Sequence, residues 1–443
     1  MRMLQYKTLW MACIGMVVVS TASAGIADHV VRTKAGGVDL IIYPMGVKDV
    51  VTIGGTLPAG DSYAAGGNIA AASLTGMLLD KGTTKHDKFA IARQLDDVGA
   101  QLGFEVGQQT VSIAGKSLKK DVPMVIRLLA EELRTPAFSA EECAKAKTQF
   151  EGQMRPVLEN TNYRAKDAFS RVVYGEGNPN RLIELPKWIA AAQSLRLEEI
   201  KAFHKKYYGP AHLTLVFVGD VDAKVIRSEV AKAFGSWSGG VDVEREAKAG
   251  ESAARREEKV SLKDKTSVSV VLGQATGLRY QDADTLALRV GTAILGSGFT
   301  GRLMHTVRDK EGLTYGIGAS VADDTFVSGS WLISATFAPA LLDKGIASTR
   351  RELDKWWQGG VTADELAARK TNMIGQYQVG LATTEGMAGA ILQTVSRGKP
   401  LSWLDELPKA IDALTVDRVN AVISKHLDPA KMVLVEAGTL PAP

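Results

Sequence analysis

Cysteine is nearly missing from this 443-residue chain: there are two, Cys13 and Cys143. Cys13 falls in a segment expected to be removed, which leaves Cys143 alone and excludes an internal disulfide. Histidine is also sparse. His29, His86, His204, His212, His305 and His426 include no pair three to five residues apart, so no helix or tight turn offers two imidazoles to one metal. The closest two, His204 and His212, straddle the turn at Pro210. No G-x-S-x-G elbow occurs, and Cys143 has no histidine near it in sequence, so nucleophilic catalysis has no local support. A net charge of +4 without a dense Lys/Arg stripe argues against a nucleic-acid partner. Beyond the N-terminal segment no apolar run approaches 18 residues, so no membrane span is expected in the mature protein.

The composition that remains, 45% hydrophobic and 23% charged, is that of a folded globular protein, and the length suits two domains of about 200 residues each. Arg2 and Lys7 precede the apolar run Leu9 to Val19, and Ala22-Ser23-Ala24 supplies a small-residue cleavage site. That layout predicts a signal peptide over 1–24, export to the periplasm, and a mature chain from about Gly25.

The chain repeats itself. LRLEEIKAFHKKYYGPAHLTLVFVG from Leu195 lies over LTVDRVNAVISKHLDPAKMVLVEAG from Leu414 without a gap. Each reads as an amphipathic helix, a Pro-Ala turn and an apolar strand closed by glycine. Upstream, SAEECAKAKTQFEGQ from Ser139 matches TADELAARKTNMIGQ from Thr362. Both open on a capping-box pattern, Ser139 to Glu142 and Thr362 to Glu365. Copies about 200 residues apart indicate duplicated domains and not a solenoid. The mixed-charge stretch EREAKAGESAARREEK separates them, giving domains at 25–240 and 259–443 with a linker at 241–258.

Within each half, strands and helices alternate. Strands are expected at Val38–Tyr43, Val50–Thr56, Gln101–Val106 and Thr110–Ala114, with helices at Asn68–Leu79 and His86–Val98. The second half repeats the scheme with strands Ser267–Leu272, Leu313–Val321 and Ser328–Ala335. Its helices are expected at Ala283–Leu295, Arg302–Glu311 and Leu341–Gln358. The fold class is therefore α+β: two homologous domains, each a mainly antiparallel sheet with helices packed on one face. The loop Gly296-Ser297-Gly298-Phe299-Thr300-Gly301 formally matches G-x-G-x-x-G. It follows a helix and not a strand, so it reads as a tight helix-to-helix turn, not a nucleotide site.

The segment LGSGFTGRLMHTVRDKEGLTYGIGAS, Leu295 to Ser320, resembles the C-terminal-domain signature of the pitrilysin/insulinase peptidases, the inverzincins. In that signature a Gly-rich turn and a helix ending in Arg precede a strand carrying Tyr seven residues later; Arg308 and Tyr315 match in identity and spacing. The first half resembles the family from Val38 to about Gly239.

Catalytic members carry H-x-x-E-H on the first long helix, followed by a K-G-T-like sequence. Here that helix reads SLTGMLLDKGT. Registering on Lys81-Gly82-Thr83 places Ser73, Gly76 and Met77 where two histidine ligands and the general-base Glu would stand. None of the three binds zinc or accepts a proton from zinc-bound water. Glu151 lies near the position of the distal ligand, but without the histidines it reads as a solvated helix residue. No metal is expected in this chain.

The resemblance implies a divided enzyme, in which a homologous chain holds zinc and this one supplies Arg308 and Tyr315 to bind substrate and oxyanion in trans. The expected partner is that zinc-binding peptidase subunit, in a heterodimer, and the expected substrate a peptide. The alternatives are a structural core-type subunit and a peptide-binding homodimer with no peptidase role.

Overall fold

A computed structural model describes residues 25–241 and 255–440. The expected signal peptide and most of the expected linker lie outside the described residues.

The first half runs β1 (Val31–Ala35), β2 (Val38–Pro44), β3 (Val50–Leu57), α1 (Ala71–Met77), α2 (Lys88–Asp96), β4 (Gln101–Val106) and β5 (Val111–Leu118). It continues through α3 (Val122–Arg134), α4 (Ala140–Leu158), α5 (Thr161–Val173), α6 (Leu185–Ser194), α7 (Leu197–Tyr207), β6 (Thr214–Gly219) and α8 (Ala223–Phe234). The second half runs β7 (Glu257–Ser261), β8 (Val268–Ala275), α9 (Thr285–Gly296), a π-helical segment (Met304–Lys310), β9 (Thr314–Ala322) and β10 (Ser330–Phe337). It ends with α10 (Leu342–Gly359), α11 (Ala363–Gly380), α12 (Thr384–Ser396), α13 (Trp403–Asp412), α14 (Val416–His426) and β11 (Val433–Gly438). The last two residues of the expected linker thus already belong to a strand.

Two antiparallel-rich sheets result, ordered β1-β2-β6-β3-β5-β4 and β7-β11-β8-β10-β9. Every pairing is antiparallel except β2 with β6 and β7 with β11, which occupy corresponding places. The duplication read from sequence is therefore a duplication of topology. β1 is the added strand of the first sheet. It pairs with β2 through the two-residue Gly36-Gly37 turn, both residues with positive φ, the conformation such a hairpin requires.

The fold class is α+β with two sheets, as expected, but helices cover both faces of each sheet. On the first sheet, Leu40, Ile42, Ile53, Leu215 and Phe217 point into a core with α1, α3, α7 and α8. The alternate residues Ile41, Val216 and Val218 bury Met387, Ala388 and Ile391 of α12, a helix of the second half. The second sheet mirrors this. Val268, Leu272, Trp331 and Ile333 face α9, α10 and α14, while Val271, Val433 and Val435 bury Ala165, Phe169 and Val173 of α5, from the first half.

The halves exchange one helix each. Each exchanged helix is pinned near its start by a buried or half-buried hydroxyl pair. Thr52 Oγ1 donates to Thr384 Oγ1 at 2.8 Å, and Thr161 Oγ1 shares a hydrogen bond with Ser269 Oγ at 2.8 Å. Burying one side chain such as Ile391 or Phe169 stabilises by about 1.5–3 kcal/mol, so the exchange welds the halves together. It also explains why the central strands β6, β8 and β11 read as apolar runs and not as clean alternation: both of their faces are buried.

Candidate functional site

The helix at the zinc-motif register is short and buried. Ser73 donates its hydroxyl to Asp61 Oδ1 at 2.7 Å. Asp61 is 4% exposed, and burial pushes its carboxyl up to about 7 against the opposing pull of the Ser73 hydrogen bonds. Gly76 lies against β4 so closely that a Cβ there would overlap Val106 Cγ2. Met77 is half-buried against the core. Ser73 and Met77 thus turn their side chains to packing and hydrogen bonding, and Gly76 supplies the close approach to β4.

Glu151 of α4 pairs with Arg155 and accepts a hydrogen bond from Gln193 Nε2 at 2.6 Å, which holds its carboxyl below the usual range. Among the described residues, no group of three or more His, Cys, Asp and Glu side chains is placed to hold a metal. Three of the histidines do structural work. His204 Nε2 lies 2.8 Å from the Leu133 carbonyl and its ring stacks on Tyr208, with burial lowering its pKa. His86 joins Glu131, and His426 joins Asp284.

The second half places Arg308 and Tyr315 together. Gly296, at the end of α9, has no Cβ, so β9 packs straight onto it: a Cβ would overlap the backbone nitrogen of Ala319. The chain then turns through Gly298, which adopts φ +67°, into a π-helical segment that carries Arg308 on its wider turn. Such segments recur at functional sites because the wider turn redirects a side chain. A left-handed Gly312 (φ +63°) reverses the chain into β9, the edge strand of its sheet, and Tyr315 is its second residue.

The Arg308 guanidinium carbon lies 5.0 Å from the ring centroid of Tyr315 and 5.0 Å from that of Phe299. This is cation–π geometry on two rings. Tyr315 is 88% exposed and Phe299 71%. The Asp309 carboxylate reaches only 4.0 Å from Arg308 Nε, the edge of ion-pair range. Tyr315 does not pack between sheet and helix; it stands out from the surface with Arg308 against its face.

The loop that carries Phe299 is tied to α11. Arg302 grips Glu365 through two hydrogen bonds of 2.6 Å and donates to the Gly360 carbonyl at 2.8 Å, holding the Glu365 carboxyl far below its ordinary range. Arg369, 8% exposed, donates to the Ser297 carbonyl at 3.1 Å, Thr300 Oγ1 at 3.3 Å and Asn372 Oδ1 at 3.4 Å. The sequence pattern points to Arg308 and Tyr315; the structure adds Phe299, Arg302 and Arg369 beside them. Phe299 sits inside the Gly-rich loop, where the glycines alone carry the turn signal. The two arginines gave no local signal, since each acts across the fold.

Residues 194–373, from the start of the repeated helix–strand unit to the middle of α11, match the family model described as the peptidase M16 inactive domain. The chain is 24% identical over 355 residues to an uncharacterized zinc protease of Streptomyces coelicolor, covering 78% of this chain and 75% of the relative. It is 22% identical over 365 residues to a non-peptidase homolog of Helicobacter pylori, covering 81% and 82%. The fold superposes on the crystal structure of a peptidase M16 inactive domain from Pseudomonas fluorescens with TM-score 0.85 at 24% identity, spanning 93% of this chain and 98% of that one. The resemblance read from Arg308, Tyr315 and the altered zinc helix thus has independent support: residues 194–373 match the peptidase M16 inactive domain, and the fold is that of the M16 inactive-domain structure.

Proposed function

We propose that this chain is the non-catalytic, substrate-binding subunit of a heteromeric periplasmic zinc endopeptidase. A homologous partner chain holds the zinc, and Arg308 and Tyr315 reach into the shared site to grip a peptide carbonyl and stabilise the oxyanion formed on it. The observation that carries this reading is the outward presentation of the pair, with Tyr315 88% exposed and Arg308 set against its ring. An inherited packing pair would be buried; this one is available to a second molecule. A charged donor and a phenolic hydroxyl are suited to an oxyanion, and each such donor is worth a few kcal/mol in a dry site.

The test reconstitutes the chain with an H-x-x-E-H homologue and follows peptide hydrolysis. The pair should far outperform either chain alone, and Arg308→Ala or Tyr315→Phe should lower turnover while complex mass is unchanged. Equal hydrolysis by the zinc chain alone would sink the proposal. A second reading, binding or assembly with no peptidase role, draws support from the name of the Helicobacter relative, a non-peptidase homolog. Purification of this chain as a homodimer or within a complex lacking any peptidase subunit would favour it.

A further inference from the structure

The first residues of the first half are held by a carboxylate of the second. Ile26 N donates to Asp405 Oδ1 at 2.7 Å and Ala27 N to Asp405 Oδ2 at 2.9 Å, so both oxygens of this half-buried side chain on α13 take main-chain amides. Gly25 N donates to Asp28 Oδ2 at 2.8 Å. Ile26 and Val30 pack against the cluster that holds Met387 and Ile391 of α12 and Leu404 of α13. Gly25 itself lies on Asp405: a Cβ there would come within 2.7 Å of Oδ2. Since Ile26 N is fixed on Oδ1, covalent geometry keeps the Gly25 nitrogen no more than about 6.5 Å from that oxygen, close to the range in which opposite charges stabilise each other.

This is also where Ala22-Ser23-Ala24 puts the expected cleavage point. In the uncut chain the Gly25 nitrogen is an uncharged amide whose single N–H is given to Asp28. Hydrolysis by a signal peptidase adds water across the Ala24–Gly25 bond. The hydroxyl goes to the Ala24 carbonyl carbon, and Gly25 becomes an amine that takes up a proton at neutral pH. The product has three N–H donors and a positive charge beside two carboxylates. Charge-assisted hydrogen bonds of this kind are about twice as strong as neutral ones.

We infer that the Ala24–Gly25 bond is a processing site whose product is structural: the Gly25 α-ammonium pairs with Asp28 and Asp405 and clasps the first half to α13. The inference rests on the export part of the reading above and not on peptide binding or on the zinc partner.

The test expresses the full chain in a Gram-negative host and recovers it from the periplasm. Edman sequencing should begin at Gly25. A start at any other residue overturns the processing site, and an uncut chain removes export with it. The mature protein is then dimethylated at its amines with 13C-formaldehyde, and the Gly25 signal is titrated by NMR. Gly25 should hold its proton about 3- to 10-fold more tightly in the folded chain than in the same chain unfolded in urea. Asp405→Asn should remove most of that difference and Asp28→Asn part of it. Equal folded and unfolded values, or a difference that survives both substitutions, overturn the clasp and leave processing and export standing.

Discussion

α4 and α11 begin from the same sequence pattern and end in different work. At Thr362 the capping box closes in both directions, and Glu365 then also takes Arg302, so the start of α11 anchors the loop beside Arg308. At Ser139 only half the box forms. The hydroxyl accepts from the Glu142 amide, but the Glu142 carboxylate turns to Lys88 and Lys145. The same divergence holds one layer in. α1 meets edge strand β4 through Gly76, and α9 meets edge strand β9 through Gly296, so each half brings a helix glycine against its edge strand. In the first half that contact closes over Ser73 and Asp61; in the second it sets up an exposed Arg and Tyr. A duplicated scaffold lets one copy bury its helix–strand junction while the other exposes it, because packing and presentation are governed by different residues.

The sharpest way to break the comparison is to attack the exchanged helices. Phe169→Ala on α5 and Ile391→Ala on α12 each empty a core position built from both halves, and should cost about 3–5 and about 2–5 kcal/mol respectively. Calorimetry should show one cooperative transition lowered in both variants; two separating transitions would mean that the halves fold independently.

The proposed division of labour between the halves comes next. In the reconstituted pair, Arg308→Ala should cut kcat by at least about 100-fold, with Tyr315→Phe somewhat milder and Ser73→Ala leaving kcat unchanged. A kcat loss with Ser73→Ala would return the first half to the mechanism.

The two helix glycines differ in what they meet. Gly296→Ala drives a methyl into the backbone of Ala319, which cannot give, and should cost about 2–3 kcal/mol. Gly76→Ala meets a Val106 methyl that can rotate away, and the helix gains from alanine, so urea denaturation should show a loss below about 1 kcal/mol.

A further effect is pH-dependent and belongs to the first half. The folded chain holds the Asp61 proton more tightly than the unfolded chain does, with a carboxyl near 7 against an unfolded value of about 3.9. Its favourable contribution is complete below about pH 4 and is lost as pH rises to about 7. Asp61→Asn should therefore gain about 2 kcal/mol relative to the unsubstituted chain between pH 5 and pH 8, measured by urea denaturation at each pH. A pH-independent difference would show that Asp61 does not hold its proton.

Much of the fold was legible locally. The strands at Val50–Leu57 and Gln101–Val106, and the repeated helix–turn–strand units ending at Gly219 and Gly438, lie where apolar periodicity and turn residues place them. The segment expected as a helix at Arg302–Glu311 is π-helical over Met304–Lys310, a widening that periodicity cannot specify. α5 and α12 went unassigned because their partners lie more than 100 residues away in the other half.

What the sequence by itself determined is the duplication, the α+β class and the absence of zinc-ligand residue types at Ser73, Gly76 and Met77, because these depend on residue identity and short-range spacing. Only the tertiary structure decided that each half covers the other's sheet and that Arg308 lies against both Phe299 and Tyr315 while Arg369 ties the loop to α11. Such contacts are made by residues far apart in the chain, and their energy comes from burial and geometry that no local pattern records.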